Sequence, residues 1–210
     1  CLVGSEMCIR DRINALVTGV GGGVGQGIIK SIKMIDDLDI RIIAADMSEK
    51  AAGLYAGNVS RLVEACTAPN YLNTLAKIFE NDSIDYYFPG TDVELEFCAK
   101  NKEHIQDRYG VKTVISSLET VLIADDKFKT YMFLKDNDFF FPETKWLTDF
   151  VPSEALNFPV IVKPAVGCRS IGVYKVLNNK ELYKHLMNSD GVVVQELSLI
   201  HISEPTRQEA

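Results

Sequence analysis

Between Ile13 and Ser117, short β-branched runs alternate with stretches that carry apolar residues at helical spacing. This alternation constrains the fold more than any other feature of the chain. Ile13-Asn14-Ala15-Leu16-Val17-Thr18-Gly19-Val20 reads as a first buried strand, and Val24 to Met34 as a helix with Val24, Ile28, Ile29 and Ile32 as its apolar positions. Arg41 to Asp46 is a second strand. Tyr71 to Phe79 reads as helix, Ile84 to Pro89 as strand, Glu94 to Tyr109 as helix and Val111 to Ile115 as strand. Continuous apolar strands that alternate with helices are buried on both faces and build a parallel sheet. Ligands of such sheets sit at the carboxyl ends of the strands. Those ends carry Gly19–Gly25, Asp46 and Gly90-Thr91-Asp92.

The glycine-rich stretch follows a strand and opens a helix, as a dinucleotide-binding turn does. The strict G-x-G-x-x-G spacing fails because position 24 is valine; only the looser set Gly19, Gly21, Gly25 fits. Asp46 ends the second strand, where an acidic residue can hold a ribose hydroxyl. Two readings follow: an NAD(P)-dependent oxidoreductase or epimerase, or a tight-turn or substrate-facing role. The Tyr-x-x-x-Lys motif of short-chain oxidoreductases separates them in part. Tyr71 and Tyr183 have no lysine four residues on, whereas Tyr131 has Lys135.

Further along, Val160-Ile161-Val162-Lys163-Pro164 is a β-branched run ending in a lysine. Ala165 to Gly172 follows as a loop with Gly167, Arg169, Ser170, Ile171 and Gly172, and Val173-Tyr174-Lys175-Val176 is the next strand. Glycines let backbone N–H groups approach phosphate oxygens, and a lysine beside them supplies a cation. An ordinary hairpin with an exposed lysine is the other reading. Asn179 to Asn188 looks helical, and Val192-Val193-Val194-Gln195-Glu196 is an apolar strand with a polar end. Upstream lies Asp125-Asp126-Lys127-Phe128-Lys129-Thr130-Tyr131-Met132-Phe133-Leu134.

These three motifs, in this order, resemble the ATP-grasp superfamily. Within it the chain looks most like short proteins related to the carbamoyl-phosphate synthase large chain, over nearly all of residues 13–196. The resemblance implies an α/β fold: a Rossmann-like, parallel-sheet pre-ATP-grasp domain at 13–120, then the first, small α+β subdomain of an ATP-grasp fold at 121–196. It implies ATP as cofactor, with Lys127 and Lys163 on its phosphates and the loop residues Gly167, Arg169, Ser170, Ile171 and Gly172 folded over them. Gln195 and Glu196 would lead into the hinge that holds the adenine. Mg2+ would bridge the β- and γ-phosphates, with its ligands and the catalytic residues downstream of Glu196. The implied reaction passes a phosphoryl group to a carboxylate, bicarbonate among the candidates, and lets an amine or ammonia displace it. By that reading this polypeptide alone is inactive, while its full-length parent is an ATP-dependent ligase. A non-catalytic nucleotide-binding regulator is a third class. Ala165, Val166, Cys168 and Arg169 stand where many relatives carry glycine or serine.

The two ends read differently. Leu197–Gln208 is the translation of one DNA element, and Cys1–Asp11 is that of its reverse complement shifted by one base. This resembles a transposon-type sequencing adapter, so residues 1–12 and 197–210 are expected to stay out of the core. Without them, three cationic side chains (Arg10, Arg12, Arg207) and four acidic ones (Glu6, Asp11, Glu204, Glu209) drop out, and the net charge is near −6. An acidic chain argues against binding nucleic acid or an anionic membrane, and no apolar run reaches the roughly 18 residues of a spanning helix. Cys66, Cys98 and Cys168 make no paired-ligand spacing, which points to reduced core thiols in a cytoplasmic protein and away from zinc. Asp125-Asp126 reads as helix N-terminal charge more readily than as a metal site, Lys129 as solvated, and His104 and His185 as surface residues. Phe139-Phe140-Phe141-Pro142 reads as a core-filling strand entry between the two domains.

Overall fold

β1 (Ile13–Val17) pairs on one side with β2 (Ile40–Asp46) and on the other with β4 (Tyr86–Phe88). Both pairings are parallel, as the alternating pattern requires. The computed structural model describes residues 12–150, 157–167, 170–186 and 190–197. Both tails expected to stay out of the core therefore fall almost wholly outside the described residues, as do Cys168 and Arg169. The chain divides into two compact units at Leu118/Glu119.

The first unit is a five-stranded parallel sheet in the order β3-β2-β1-β4-β5, with β3 at Val59–Leu62 and β5 at Lys112–Thr113. Consecutive residues of the central strands point to opposite faces and both are buried. Ala15, Val17, Ile42 and Ala44 pack with Ile29 and Ile32 of α1 (Gly23–Lys33) and with Leu54 of a 3-10 turn, Ala52–Ala56. Leu16, Ile43 and Tyr87 pack with Tyr71, Leu75 and Ile78 of α2 (Tyr71–Asn81) and with Cys98 and Ile105 of α3 (Asp92–Tyr109). That two-sided burial is why the strands read as unbroken apolar runs.

Several boundaries moved. β1 stops at Val17 and not Val20, because Gly19 turns the chain at φ +61°, a conformation glycine adopts freely. Here Gly53 and Gly90 come so close that a methyl on either would overlap the carbonyl oxygen of Val20 or Thr18, and one on Gly25 would meet the Gly19 oxygen at 2.6 Å. The strand expected at Val111–Ile115 pairs only at Lys112–Thr113. β3 had no apolar signature: it is an edge strand with exposed Ser60 and Leu62. It is tied down through Arg61, whose guanidinium gives two hydrogen bonds (2.8 and 2.9 Å) to the buried carboxylate of Asp82, beside a third from Arg41 at 3.2 Å. α3 opens on a capping box, Thr91 with Glu94, and closes on Gly110 at φ +71°.

The second unit holds a four-stranded antiparallel sheet in the order β6-β9-β7-β8. β6 is Thr144–Trp146, β7 Val160–Pro164, β8 Tyr174–Val176 and β9 Val192–Glu196. Val160, Val162, Val176 and Val194 pack on one face with Leu147, Phe150 and Leu182. By the two-residue period, Ile161, Lys163, Val193 and Gln195 face the other way. The Asp-Lys segment is not one helix. Asp125 closes α4 (Leu118–Asp125), and Asp126 caps α5 (Lys127–Asp136), accepting hydrogen bonds from the N–H groups of Phe128 (2.9 Å) and Lys129 (3.2 Å). Lys129 is exposed.

The Phe139–Pro142 segment corrects the reading of a core-filling strand. Phe139 and Phe140 are exposed, whereas the Phe141 ring meets the Tyr131 ring edge-on with centroids 5.4 Å apart. Asp138, at φ +56°, breaks the path from α5, and pairing begins only at Thr144. The helix expected over Asn179–Asn188 shortens to α6 (Asn179–Leu182), which passes into turns at Tyr183, and residues 187–189 lie outside the described chain.

Candidate nucleotide-phosphate site

β7 is a central strand, flanked by β8 and β9; Lys163, near its end, lies just past the last residue paired with β8 and is itself paired with Val193 of β9. Its side chain is buried, at 9% exposure, and Nζ donates a 2.7 Å hydrogen bond to Oε1 of Gln195. Gln195 is fixed in turn: its Nε2 donates to Oγ1 of Thr144 at 2.8 Å, and that hydroxyl donates to the Pro142 carbonyl at 2.9 Å. The chain Lys163–Gln195–Thr144 spans β7, β9 and β6.

Lys127 approaches from α5. Its backbone N–H donates to the Ala165 carbonyl (2.9 Å), and its ammonium donates to the carbonyls of Ala165 (3.2 Å) and Gly167 (3.1 Å). Asp126 and Val166 form an antiparallel bridge at the same point. The start of the loop after β7 is thus stitched to the first turn of α5, which brings the two lysines together. Their proximity is felt electrostatically. Burial, and then the positive charge of Lys127, push the Lys163 ammonium down to about 8 from the usual lysine range. Two cations gathered at a helix N-terminus form a place where an anion is favoured.

The other expected site residues are distributed as follows. Ser170 and Ile171 are exposed on the loop; Ser170 and Gly172 adopt φ +56° and +74°. Gly172 lies over the Pro164 ring, where a methyl would sit 3.1 Å from Cγ. Arg169 lies outside the described residues. Glu196 is opposite Val160, because the antiparallel register sets Lys163 against Val193. Its N–H donates to the Glu143 carbonyl (2.9 Å), and its carboxylate accepts the Glu143 N–H (3.4 Å). It lines a cavity of about 350 Å³ with Glu143, Lys145, Trp146, Phe150 and Val194. Gln195, not Glu196, is the residue that reaches Lys163. Thr144 was missed in the sequence, since a threonine in a three-residue strand carries no motif.

In the first unit, the Gly19–Gly25 turn is braced from inside. Asp46 accepts from the Gly21 N–H at 2.7 Å with one oxygen and from the Ser48 N–H at 2.9 Å with the other. Asp46 thus holds the turn itself, with one bond to each of its two oxygens. Beside the turn, Glu94 accepts hydrogen bonds from the Tyr71 hydroxyl and from the N–H (3.2 Å) and hydroxyl (2.8 Å) of Thr91. Burial first, and the Glu94 charge next, keep the Tyr71 phenol protonated; burial moves the Cys98 thiol to about 12. His104 is exposed, and His185 stacks on Tyr174 with ring centroids 4.7 Å apart. Among the described residues, no three His, Cys, Asp or Glu side chains cluster together. No described helix is long and apolar enough to cross a membrane.

Comparison with known proteins gives two family matches: a PylC-like N-terminal domain over residues 7–123 and an ATP-grasp domain over residues 124–203. No curated protein matches the chain. Among solved structures, the L-amino acid ligase of Bacillus licheniformis is similar at a TM-score of 0.62 and 16% identity, covering 89% of this chain and 44% of that one. N5-carboxyaminoimidazole synthetase from Staphylococcus aureus, complexed with ADP, is similar at 0.61 and 16%, covering 88% and 47%. The biotin carboxylase domain of 2-oxoglutarate carboxylase from Hydrogenobacter thermophilus, in complex with MgADP, ADP and bicarbonate, is similar at 0.58 and 14%, covering 89% and 44%. The chain spans less than half the length of each of these structures.

Proposed function

This chain belongs to the family of proteins with a PylC-like N-terminal domain followed by an ATP-grasp domain, and from that premise we propose that it binds ATP as part of a carboxylate–amine ligase. The observation that carries the reading is the convergence of Lys163 and Lys127. They come from different elements onto one loop, close enough for one charge to disfavour the other. Such an arrangement is costly when empty and becomes favourable around a polyphosphate. Three of the site's features act on the nucleotide. Lys163 and Lys127 hold phosphate oxygens, and the loop through Ser170 and Gly172 closes over them.

The reaction of the whole protein would transfer the γ-phosphoryl group to a carboxylate oxygen, forming an acyl phosphate and ADP. An amine or ammonia would then attack the acyl carbon and release phosphate. Bicarbonate as acceptor, and a kinship with carbamoyl-phosphate synthase, remain part of this proposal. Both lysines would offset charge gathering on the transferring group. Magnesium would supply further charge neutralisation on the phosphates when bound. Use of ATP favours the cytoplasm as its compartment.

The test is calorimetric. In the whole protein, Lys163→Ala should weaken ATP binding by about 1.5–3 kcal/mol, the scale of a charge-assisted hydrogen bond. Unchanged ATP affinity in that variant, or tight NADPH binding in the absence of any for ATP, overturns the assignment.

A further inference from the structure

A lysine ammonium buried in a sheet takes its direction from whatever accepts its protons. For Lys163 that includes the Gln195 carboxamide oxygen at 2.7 Å, in a buried bond between neighbouring strands. A carboxamide can be flipped, and its orientation here is set one step further back. The Thr144 hydroxyl spends its proton on the Pro142 carbonyl (2.9 Å), so it offers Gln195 only lone pairs. The amide must therefore turn its NH2 toward Thr144 (2.8 Å) and its oxygen toward Lys163. Thr144 and Gln195 are directly paired across β6 and β9, which keeps the relay short.

The chemistry of the partner matters as much as its geometry. A carboxylate at this position would also orient the ammonium, but it would neutralise it and compete with an incoming phosphate. It would also turn an oxygen toward the Thr144 lone pairs. Among the described residues, Asp126 beside the loop after β7 accepts from the N–H groups of Phe128 and Lys129. Glu143 accepts from the Tyr131 hydroxyl (3.2 Å), Glu196 accepts from the Glu143 N–H, and Lys145 and Lys175 are exposed. Lys127 adds positive charge and not a counter-ion.

We propose that Gln195, with Thr144 behind it, is a positioning residue that aims the Lys163 ammonium at the nucleotide phosphates, and that a carboxamide serves there because it orients the ammonium without neutralising it. This rests on the nucleotide-binding reading above. It also changes the expected role of Gln195, whose side chain serves the lysine and does not face the adenine.

The experiment uses the full chain with Gln195→Glu, Thr144→Val and Thr144→Ser. The Lys163 ammonium is titrated by NMR without ligand, with its signal assigned by loss in Lys163→Arg, and ATP and inorganic tripolyphosphate binding are measured by calorimetry. Gln195→Glu should raise the Lys163 pKa from about 8 toward the ordinary lysine range. It should also weaken binding of both polyanions at neutral pH by about tenfold, the scale of one charge-assisted contact. Thr144→Val should weaken binding several-fold and Thr144→Ser should restore it. An unmoved Lys163 titration together with unchanged polyanion affinity in Gln195→Glu overturns the proposal. Wild-type protein that binds neither polyanion, while its Lys163 titration still responds to Gln195→Glu, overturns the nucleotide reading and leaves the positioning intact.

Discussion

Lys163 carries the most testable chemistry of any single residue here. Its pKa is lowered by burial and by Lys127 to about 8, so the sign of its pH dependence can be worked out. Below that value the ammonium is charged and attracts phosphate; above it the amine is neutral and the attraction is lost. ATP affinity should therefore fall as pH rises through the region just above 8, because a bound anion itself raises the pKa. Lys163→Arg, which stays charged, should flatten that fall, and calorimetry from pH 7 to 10 would follow both. The lysine was legible in the sequence from its place at a strand end beside a glycine loop. Its partner relay was not. Gln195 could be read as a strand end, but the link to Thr144 depends on register between strands about fifty residues apart, which no local pattern encodes.

At the scale of elements, the legible ones were those buried on both faces or built on helical periodicity: β1, α1, β2, α2 and α3 all sit within a few residues of where the pattern put them. The missed ones owe their existence to tertiary partners. β3 is the clearest case, since its polar edge residue Arg61 finds its reason in Asp82, at the end of α2. Asp82→Ala should destabilise the protein by about 2–3 kcal/mol. That is the lower side of the cost of breaking a buried pair, because the two arginines left behind, about a third exposed, can turn to water. Urea unfolding at matched pH measures it, and a loss under 0.5 kcal/mol would make this ion triad ornamental. The Asp-Lys segment failed as one helix for a related reason. Asp126 stabilises more by capping α5 with its side chain than by continuing α4.

For the molecule as a whole, the alternating first half and the lysine-bearing second half each fold into their own sheet, one parallel and one antiparallel. The order of motifs along the chain thus gave the fold class, whereas the acceptor substrate left no mark in the described residues. The two ligand hypotheses fall on different units of the chain, and hydrogen exchange can tell them apart. ATP should slow exchange in Lys163–Gly167 and in the first turn of α5, and leave β1 through β5 unchanged. Protection confined to Gly19–Gly25 on adding a nicotinamide dinucleotide would reverse the assignment. That glycine turn has a consequence of its own. Gly25 lies in the first turn of α1, Gly53 in the 3-10 turn and Gly90 just before α3, yet all three press on the stretch Thr18–Val20. A methyl at any one must displace a carbonyl of that one three-residue stretch: Gly19 for Gly25, Val20 for Gly53, Thr18 for Gly90. Their alanine substitutions are therefore not independent: once one has moved that stretch, the others meet a changed wall. Sequence drift at this edge of the sheet is correlated drift, in which the first replacement decides which second ones the turn can accept.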